Sequence, residues 1–459
     1  MVKELLKTHL EPLLLAFRDK RVVKNICTLA TRVVASGHIN LYTMSENKLE
    51  YDRFRGLLNG EQVATLNSDV IIRCVQAKTL SDLGKGAKRL YILYDGCDIR
   101  KPNSKEMEYL GDVRSLSNTS IVGYKTMNSV VLDTDSQGVG LLTHELYSNK
   151  MPTYIGESVL NDPECKAALN TEQQKLVTAK TYINTKVLFH NSPQESSRLV
   201  KQTATESKIC HVADREFDDE AHFWYITHEL KDEFVIRCKA NRLSDRTFPA
   251  LTPTGKVSKK IGHYKLVDKK FAANSTYQIS KITIKGVVHT NVTVKIDWES
   301  LKLGEKTYTI VRITLEKDGK PLYKQPMLLI TNRVVMSAEA AKEIYMTYLL
   351  RSKIEVVFKF LKQRLGWEDF QIRDFNSIKN LLAFAFFLVG YYPDLKQELK
   401  TDPIAFLLCD LAKSKGKITL HFMLEGLKIL AFWQKVDQWK TGFNISQEQI
   451  DDPLKRFKT

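Results

Sequence analysis

The stretch from Tyr348 to Leu365 constrains the chain most. Leu350, Ile354, Val357, Leu361 and Leu365 recur at helical spacing, and Tyr348, Arg351, Glu355 and Lys362 form a second stripe beside them. At about 100° per residue, these last four fall within roughly 60° of one another on a helical wheel. The spacing predicts one helix, packed down along its apolar stripe and presenting a carboxylate flanked by bases at the margin of the buried face. Taken alone, the stripe also fits a solvated face with an i, i+4 charge pair between Arg351 and Glu355.

Two upstream segments change the weighing. Lys88 to Tyr94 is an apolar run of strand type that leads into Asp95, Gly96, Cys97 and Asp98, read as an acidic turn. Lys208 to Ala213 is a second short strand, ending in Asp214, Arg215 and Glu216, with a helical stretch beginning near Asp218. Each aspartate alone is a common turn former. With Glu355 they make two strand-borne carboxylates and one helix-borne carboxylate.

Carboxylates gathered from distant segments repel one another and lose hydration, so a fold that brings them together needs a cation to neutralise them. Hard oxygen donors in an open site suit Mg²⁺ or Mn²⁺ better than zinc, and no Cys or His pair in the sequence has zinc-site spacing. Two such ions about 4 Å apart can activate an attacking water or hydroxyl and stabilise the leaving oxygen in an in-line displacement at phosphorus.

These residues resemble those of DDE transposases of bacterial insertion-sequence type, in the group marked by the YREK signature. Tyr348, Arg351, Glu355 and Lys362 meet the spacing of that signature. Asp214-Arg215-Glu216 and the strand Phe234 to Lys239 extend the resemblance, which spans roughly residues 85 to 395. It implies that Asp95, Asp214 and Glu355 are the catalytic metal ligands for two Mg²⁺ or Mn²⁺ ions. It further implies that Arg351 and Lys362 hold phosphates, that Tyr348 contacts the transferred end, and that Arg237, Lys239 and Arg215 contact DNA. Asp98 rivals Asp95 as first ligand; Asp95 is preferred because it continues the apolar run. Where well-understood members place a Trp that stacks a flipped base, this chain has Met327, which leaves open whether excision passes through a DNA hairpin. Trp298 reads as a strand packing residue.

Composition agrees. A chain of 459 residues with 43% hydrophobic content is long enough for two to four domains and can bury substantial cores. The net charge of +16 implies an acidic partner, nucleic acid being the simplest. Between Lys239 and Lys324 there are 18 Lys and Arg against 7 Asp and Glu, a net of +11, in a segment whose alternation reads as antiparallel strands. Seven cysteines without a CxxC pair point to a reducing compartment, and Cys97 reads as a small packing residue rather than a nucleophile. No signal peptide opens the chain, and the apolar run Leu381 to Tyr392 is too short to span a bilayer, which takes about 20 residues; it reads as a buried helix.

The expected fold class is α/β: a ribonuclease-H-like core interrupted by a basic antiparallel β insertion, with helical N- and C-terminal domains. The expected boundaries are 1–75 for a helical DNA-binding domain, 85–239 and 325–395 for the two parts of the core, 240–324 for the insertion, and 396–459 for a helical dimerisation region. For residues 1 to about 70, broken near Gly37 and Asn59-Gly60, a plain helical cap on the core fits as well. The amphipathic stretch Leu424 to Trp439 fits core packing as well as subunit contact. The expected activity is metal-dependent cleavage at transposon ends and transfer of the 3′-hydroxyl into target DNA. The expected partners are double-stranded DNA with terminal inverted repeats, target DNA and a second copy of the chain, in a prokaryotic cytoplasm near the nucleoid, with no membrane. A stand-alone metal nuclease and a domesticated, non-catalytic DNA-binding protein are the alternatives.

Overall fold

The computed structural model describes residues 9–59, 66–82, 89–133, 138–251, 257–268, 271, 273–284, 287–303, 306–399, 403–413, 422, 425–430, 432–433 and 436. Helices α1 (Lys20–Ser36), α2 (Leu41–Met44), α3 (Lys48–Leu58) and α4 (Ser68–Asp82) precede strands β1 (Arg89–Arg100), β2 (Gly111–Arg114), β3 (Ser120–Asp133) and β4 (Gly138–Tyr147). Four helices follow: α5 (Glu157–Asn161), α6 (Pro163–Ala167), α7 (Thr171–Ala179) and α8 (Thr185–Thr203). Next come β5 (Lys208–Ala213), α9 (Glu220–His228), β6 (Glu233–Arg237) and β7 (Leu243–Leu251), then β8 (Val257–Lys265), β9 (Ala273–Ile284), β10 (Val287–Leu303) and β11 (Lys306–Lys317). The described elements end with β12 (Lys320–Pro321), β13 (Met327–Thr331), α10 (Ala338–Leu349), α11 (Ser352–Arg364), α12 (Phe375–Leu399) and α13 (Pro403–Leu411).

A mixed α/β architecture results. One sheet of 11 strands runs β2-β3-β1-β5-β6-β13-β11-β10-β9, with β4 beside β3 and β12 beside β11. β1 lies parallel to β5, and β5 parallel to β6, whereas β3 and β4 form an antiparallel meander on the other side of β1. The basic segment from Lys239 to Lys324 supplies the separate hairpin β7–β8, but its strands β9, β10 and β11 prolong the main sheet through the β11–β13 pairing.

Because side chains alternate across a strand, β1 feeds two cores. Leu90, Ile92 and Tyr94 join Leu188 and Val200 of α8 and Phe223 and Ile226 of α9 on one face. Tyr91 and Leu93 join Ile344, Phe358 and the apolar residues of α12 on the other. That second core continues into the N-terminal helices through Ile26, Val33, Phe54 and Ile71. Asn380 of α12 ties them down, accepting from the Ser68 N–H at 2.7 Å and donating to the Leu58 carbonyl at 2.8 Å. Gly37, the expected break, ends α1 in the left-handed conformation at φ 71°, and its N–H donates to Val33.

Two expectations are corrected. The run from Tyr348 to Lys362 is not one helix: α10 ends at Leu349 and α11 starts at Ser352. Between them, N–H groups of Leu350, Arg351, Lys353 and Ile354 each reach back three residues instead of four, a tightened turn. The apolar positions still pack, with Ile354, Leu361 and Leu365 at 0% exposure. The second correction concerns β1, which does not end in a turn at Asp95. Its pairing with β3 continues to Arg100, so Asp95 and Asp98 are both strand residues.

In the amphipathic stretch Leu424 to Trp439 only residues 425–430, 432, 433 and 436 are described, and Lys415, Lys417 and Gly60 lie outside the described residues. Leu381 to Val389 are buried within α12, and among the described residues no helix is long and apolar enough to cross a membrane.

Candidate active site

Strand parity decides which aspartate meets the helices. Asp95 follows Tyr91 and Leu93 toward α11, whereas Asp98 follows Ile92 and Tyr94 toward the α8 face, where its Oδ2 accepts the Arg114 backbone N–H at 3.1 Å. Asp214 comes directly after β5, the parallel neighbour of β1, and caps a short 3-10 turn, Arg215–Phe217. Glu355 lies in the first turn of α11.

Arg351, at the tightened turn, joins all three. Its Nη2 stands 3.2 Å from Asp95 Oδ2 and 3.4 Å from Asp214 Oδ2, and its Nη1 donates to Glu355 Oε1. The guanidinium is 13% exposed, against 20% for Asp95, 27% for Asp214 and 58% for Glu355, so the cluster opens toward solvent on the Glu355 side. Burial pushes the Asp95 carboxyl up to about 7, and Asp214, Glu355 and Glu216 push the same way against the opposing charge of Arg351. At Asp95, burial and the neighbouring acids together outweigh the guanidinium.

Lys362 is held at the same end of β1. Its Nζ donates to the Asp98 carbonyl and lies 3.2 Å from Glu368 Oε1. Tyr348, at the end of α10, is buried; burial raises its hydroxyl above the ordinary tyrosine value, Asp214 adds to this, and Arg351 and Arg237 oppose it. Arg237 closes β6 opposite Leu329 of β13. Lys239 is exposed just beyond it, and Arg215 is exposed on the 3-10 turn. Thus Tyr348, Arg351 and Glu355 gather with Asp95 and Asp214, Lys362 and Lys239 line the adjoining crevice, and among the described residues the Arg215 side chain makes no hydrogen bond or ion pair to the carboxylates. Met327 begins β13 half-buried, and Trp298 is buried in β10. Cys97 has its thiol pushed up to about 11 by burial, which disfavours a nucleophilic thiolate.

Among the described residues no group of three or more His, Cys, Asp or Glu is spaced to hold a metal ion. At the carboxylates, the Arg351 guanidinium stands among the acids. The donors are nevertheless all hard oxygens, and they converge on one cationic group. Such a set fits a hard divalent cation once the guanidinium is drawn aside.

Residues 197–389 match the family model described as transposase DDE domain. The match supports reading the chain as a DDE transposase, and it contains Asp214, Arg351, Glu355 and Lys362 while leaving Asp95 before its first residue. No curated protein matches the chain.

Several site residues escaped the reading of the sequence. Glu368 binds Lys362 and also accepts the Arg100 backbone N–H at 3.0 Å; its only sequence signal is its place six residues after Lys362. Arg114 and Lys125, apart from the carboxylate cluster, come to the adjoining crevice through sheet register, with Lys125 opposite Asp98 across β1 and β3. No local pattern announces that.

Proposed function

We propose that the chain is a DDE transposase of insertion-sequence type with the YREK signature, cutting DNA at transposon ends and joining the freed 3′-hydroxyl to target DNA. The observation that carries this reading is the meeting of Asp95, Asp214 and Glu355 around one guanidinium. The mixed sheet, an antiparallel meander of β1, β3 and β4 followed by parallel β5 and β6, supports a ribonuclease-H-like core.

In this reading Asp95, Asp214 and Glu355 hold two Mg²⁺ or Mn²⁺ ions, which supply activation of the attacking oxygen and stabilisation of the leaving one. Arg351 exchanges its carboxylate partners for the oxygens of a DNA phosphate, a geometry its planar fork suits. Lys362 and Lys239 hold neighbouring phosphates, and Arg237 steadies the strand beside Tyr348. Two copies of the chain would bridge two ends, one active site to each.

The test is Glu355→Gln. It keeps duplex binding and loses Mg²⁺-dependent cleavage of DNA carrying the flanking inverted repeats, and wild-type chain joins pre-cleaved ends to a target plasmid. Undiminished cutting by the variant would remove Glu355 from the chemistry. Cutting without joining would make the chain a nuclease.

A further inference from the structure

The end of β1 overhangs its neighbour. Pairing with β5 stops at Leu93, whereas pairing with β3 continues to Arg100. Ligands of open α/β sheets settle where strand ends part in this way. Here the gap is a crevice of about 600 Å³ that runs from Gly96 and Cys97, next to Asp95, out to Arg114 and Lys125.

Its charge is lopsided. Arg100, Arg114, Lys125, Lys239 and Lys362 line it against only Asp98 and Glu216. Among the described residues, the side chains of Arg114 and Lys125 make no hydrogen bond or ion pair, so both cations are available to a ligand. Thr185, in the first turn of the 19-residue helix α8, also faces the crevice and adds the positive end of a helix dipole. Phe189, half-buried and stacked on Phe217 at 4.2 Å, supplies an aromatic wall. The size is that of a small-ligand pocket, too small to admit a duplex. A polyanion with aromatic groups that enters such a space does so as one strand.

We propose that this crevice binds a single-stranded DNA segment continuous with the strand at the carboxylates, its phosphates on Lys125 and Arg114 and a base beside Phe189. The inference rests on the transposase reading and deepens it, since it requires the DNA next to the reacting phosphate to be unpaired.

The experiment measures fluorescence anisotropy, without divalent ion, of a blunt duplex and of the same duplex with a single-stranded tail. Wild-type chain binds the tailed duplex at least fivefold tighter, and Lys125→Gln/Arg114→Gln loses that preference while binding the blunt duplex as before. For tailed DNA, the slope of log K against log salt falls by about 1.4, two single-strand contacts at about 0.7 each. Lys166→Gln/Lys180→Gln removes two exposed charges elsewhere and keeps the preference. Arg114→Gln alone, at an exposed edge position, gives an intermediate loss if the double variant fails to fold. Equal wild-type affinity for both DNAs, a preference retained by the double variant, or an equal loss for both DNAs overturns the proposal. A wild-type chain that cuts with Mg²⁺ but ignores tails fails this inference alone. One that prefers tails but never cuts fails the transposase reading alone.

Discussion

Arg351 Nη2 lies 3.2 Å from Asp95 Oδ2, an ion pair between a helix junction and a strand 256 residues earlier in the chain. The same nitrogen serves Asp214, and the other terminal nitrogen serves Glu355. The guanidinium is therefore the counter-charge of the whole acidic cluster.

Arg351→Ala leaves that cluster without a cation. A loss on the order of 2–3 kcal/mol of stability is expected, because an ion pair that is largely withdrawn from water is broken on one side only. Millimolar Mg²⁺ should recover part of it, since a ligand bound only by the folded chain stabilises it. Differential scanning fluorimetry with and without Mg²⁺ reads both effects. A variant that melts like wild type and ignores Mg²⁺ would detach Arg351 from the cluster's charge balance.

Asp95 makes stability depend on pH. Burial pushes its carboxyl up to about 7 in the folded chain, against about 3.9 when unfolded. A raised folded value means that the stabilising proton is fully present below about pH 4 and is lost as the pH climbs to about 7. Asp95→Asn, which does not ionise, should match wild type below about pH 4 and be more stable above about pH 7. The gain expected is on the order of 1–2 kcal/mol, after allowing for partial solvent access. Urea melts at both pH values measure it, and a variant less stable at high pH contradicts it.

Behind Asp95, on the α8 face, Tyr94 Oη meets His211 Nδ1 at 2.7 Å, and His211 Nε2 meets Asp232 Oδ2 at 2.9 Å. Asp232 also accepts from Ser197 at 2.6 Å and pairs with Lys201 at 2.8 Å. Burial alone would raise its carboxyl, but His211, Lys201 and Ser197 together hold it below the ordinary value. Its contribution is therefore present above about pH 3.9 and fades as the pH falls through the depressed folded value. Asp232→Asn should cost on the order of 3 kcal/mol at neutral pH, with the gap to wild type narrowing near pH 3. Chemical denaturation across that range checks the trend; a gap independent of pH would contradict it.

Asn380 bridges Ser68 and Leu58 from within α12. Asn380→Ala leaves a buried N–H and a buried carbonyl without partners, at a cost of about 2 kcal/mol. Amide exchange at Ser68 should quicken more than exchange in β1. Uniform quickening would mean that the N-terminal helices and the sheet open together.

The carboxylate set was legible in the sequence because each acid ends or interrupts an apolar pattern, and because Glu355 lies beside residues of fixed spacing. The break at Leu350 and Arg351 was not, since both are good helix formers and the tightening arises as α10 packs on β10 while α11 packs on β1. Sequence could not rank Asp95 above Asp98 on geometry until β1 was seen to extend through both, after which parity alone separates them. Helical periodicity in residues 1 to about 70 was legible, but an amphipathic face does not name its partner. That partner is α12, whose buried residues lie more than 300 positions downstream.

The β11–β13 pairing joins the cationic strands to the sheet that carries the acids. Backbone hydrogen bonds run strand to strand from β9 to β1, so strand register sets the spacing between the two regions. Whatever the outer strands grip is delivered at a constant offset from Asp95, which makes the sheet itself a gauge for where along a bound polymer the chemistry falls.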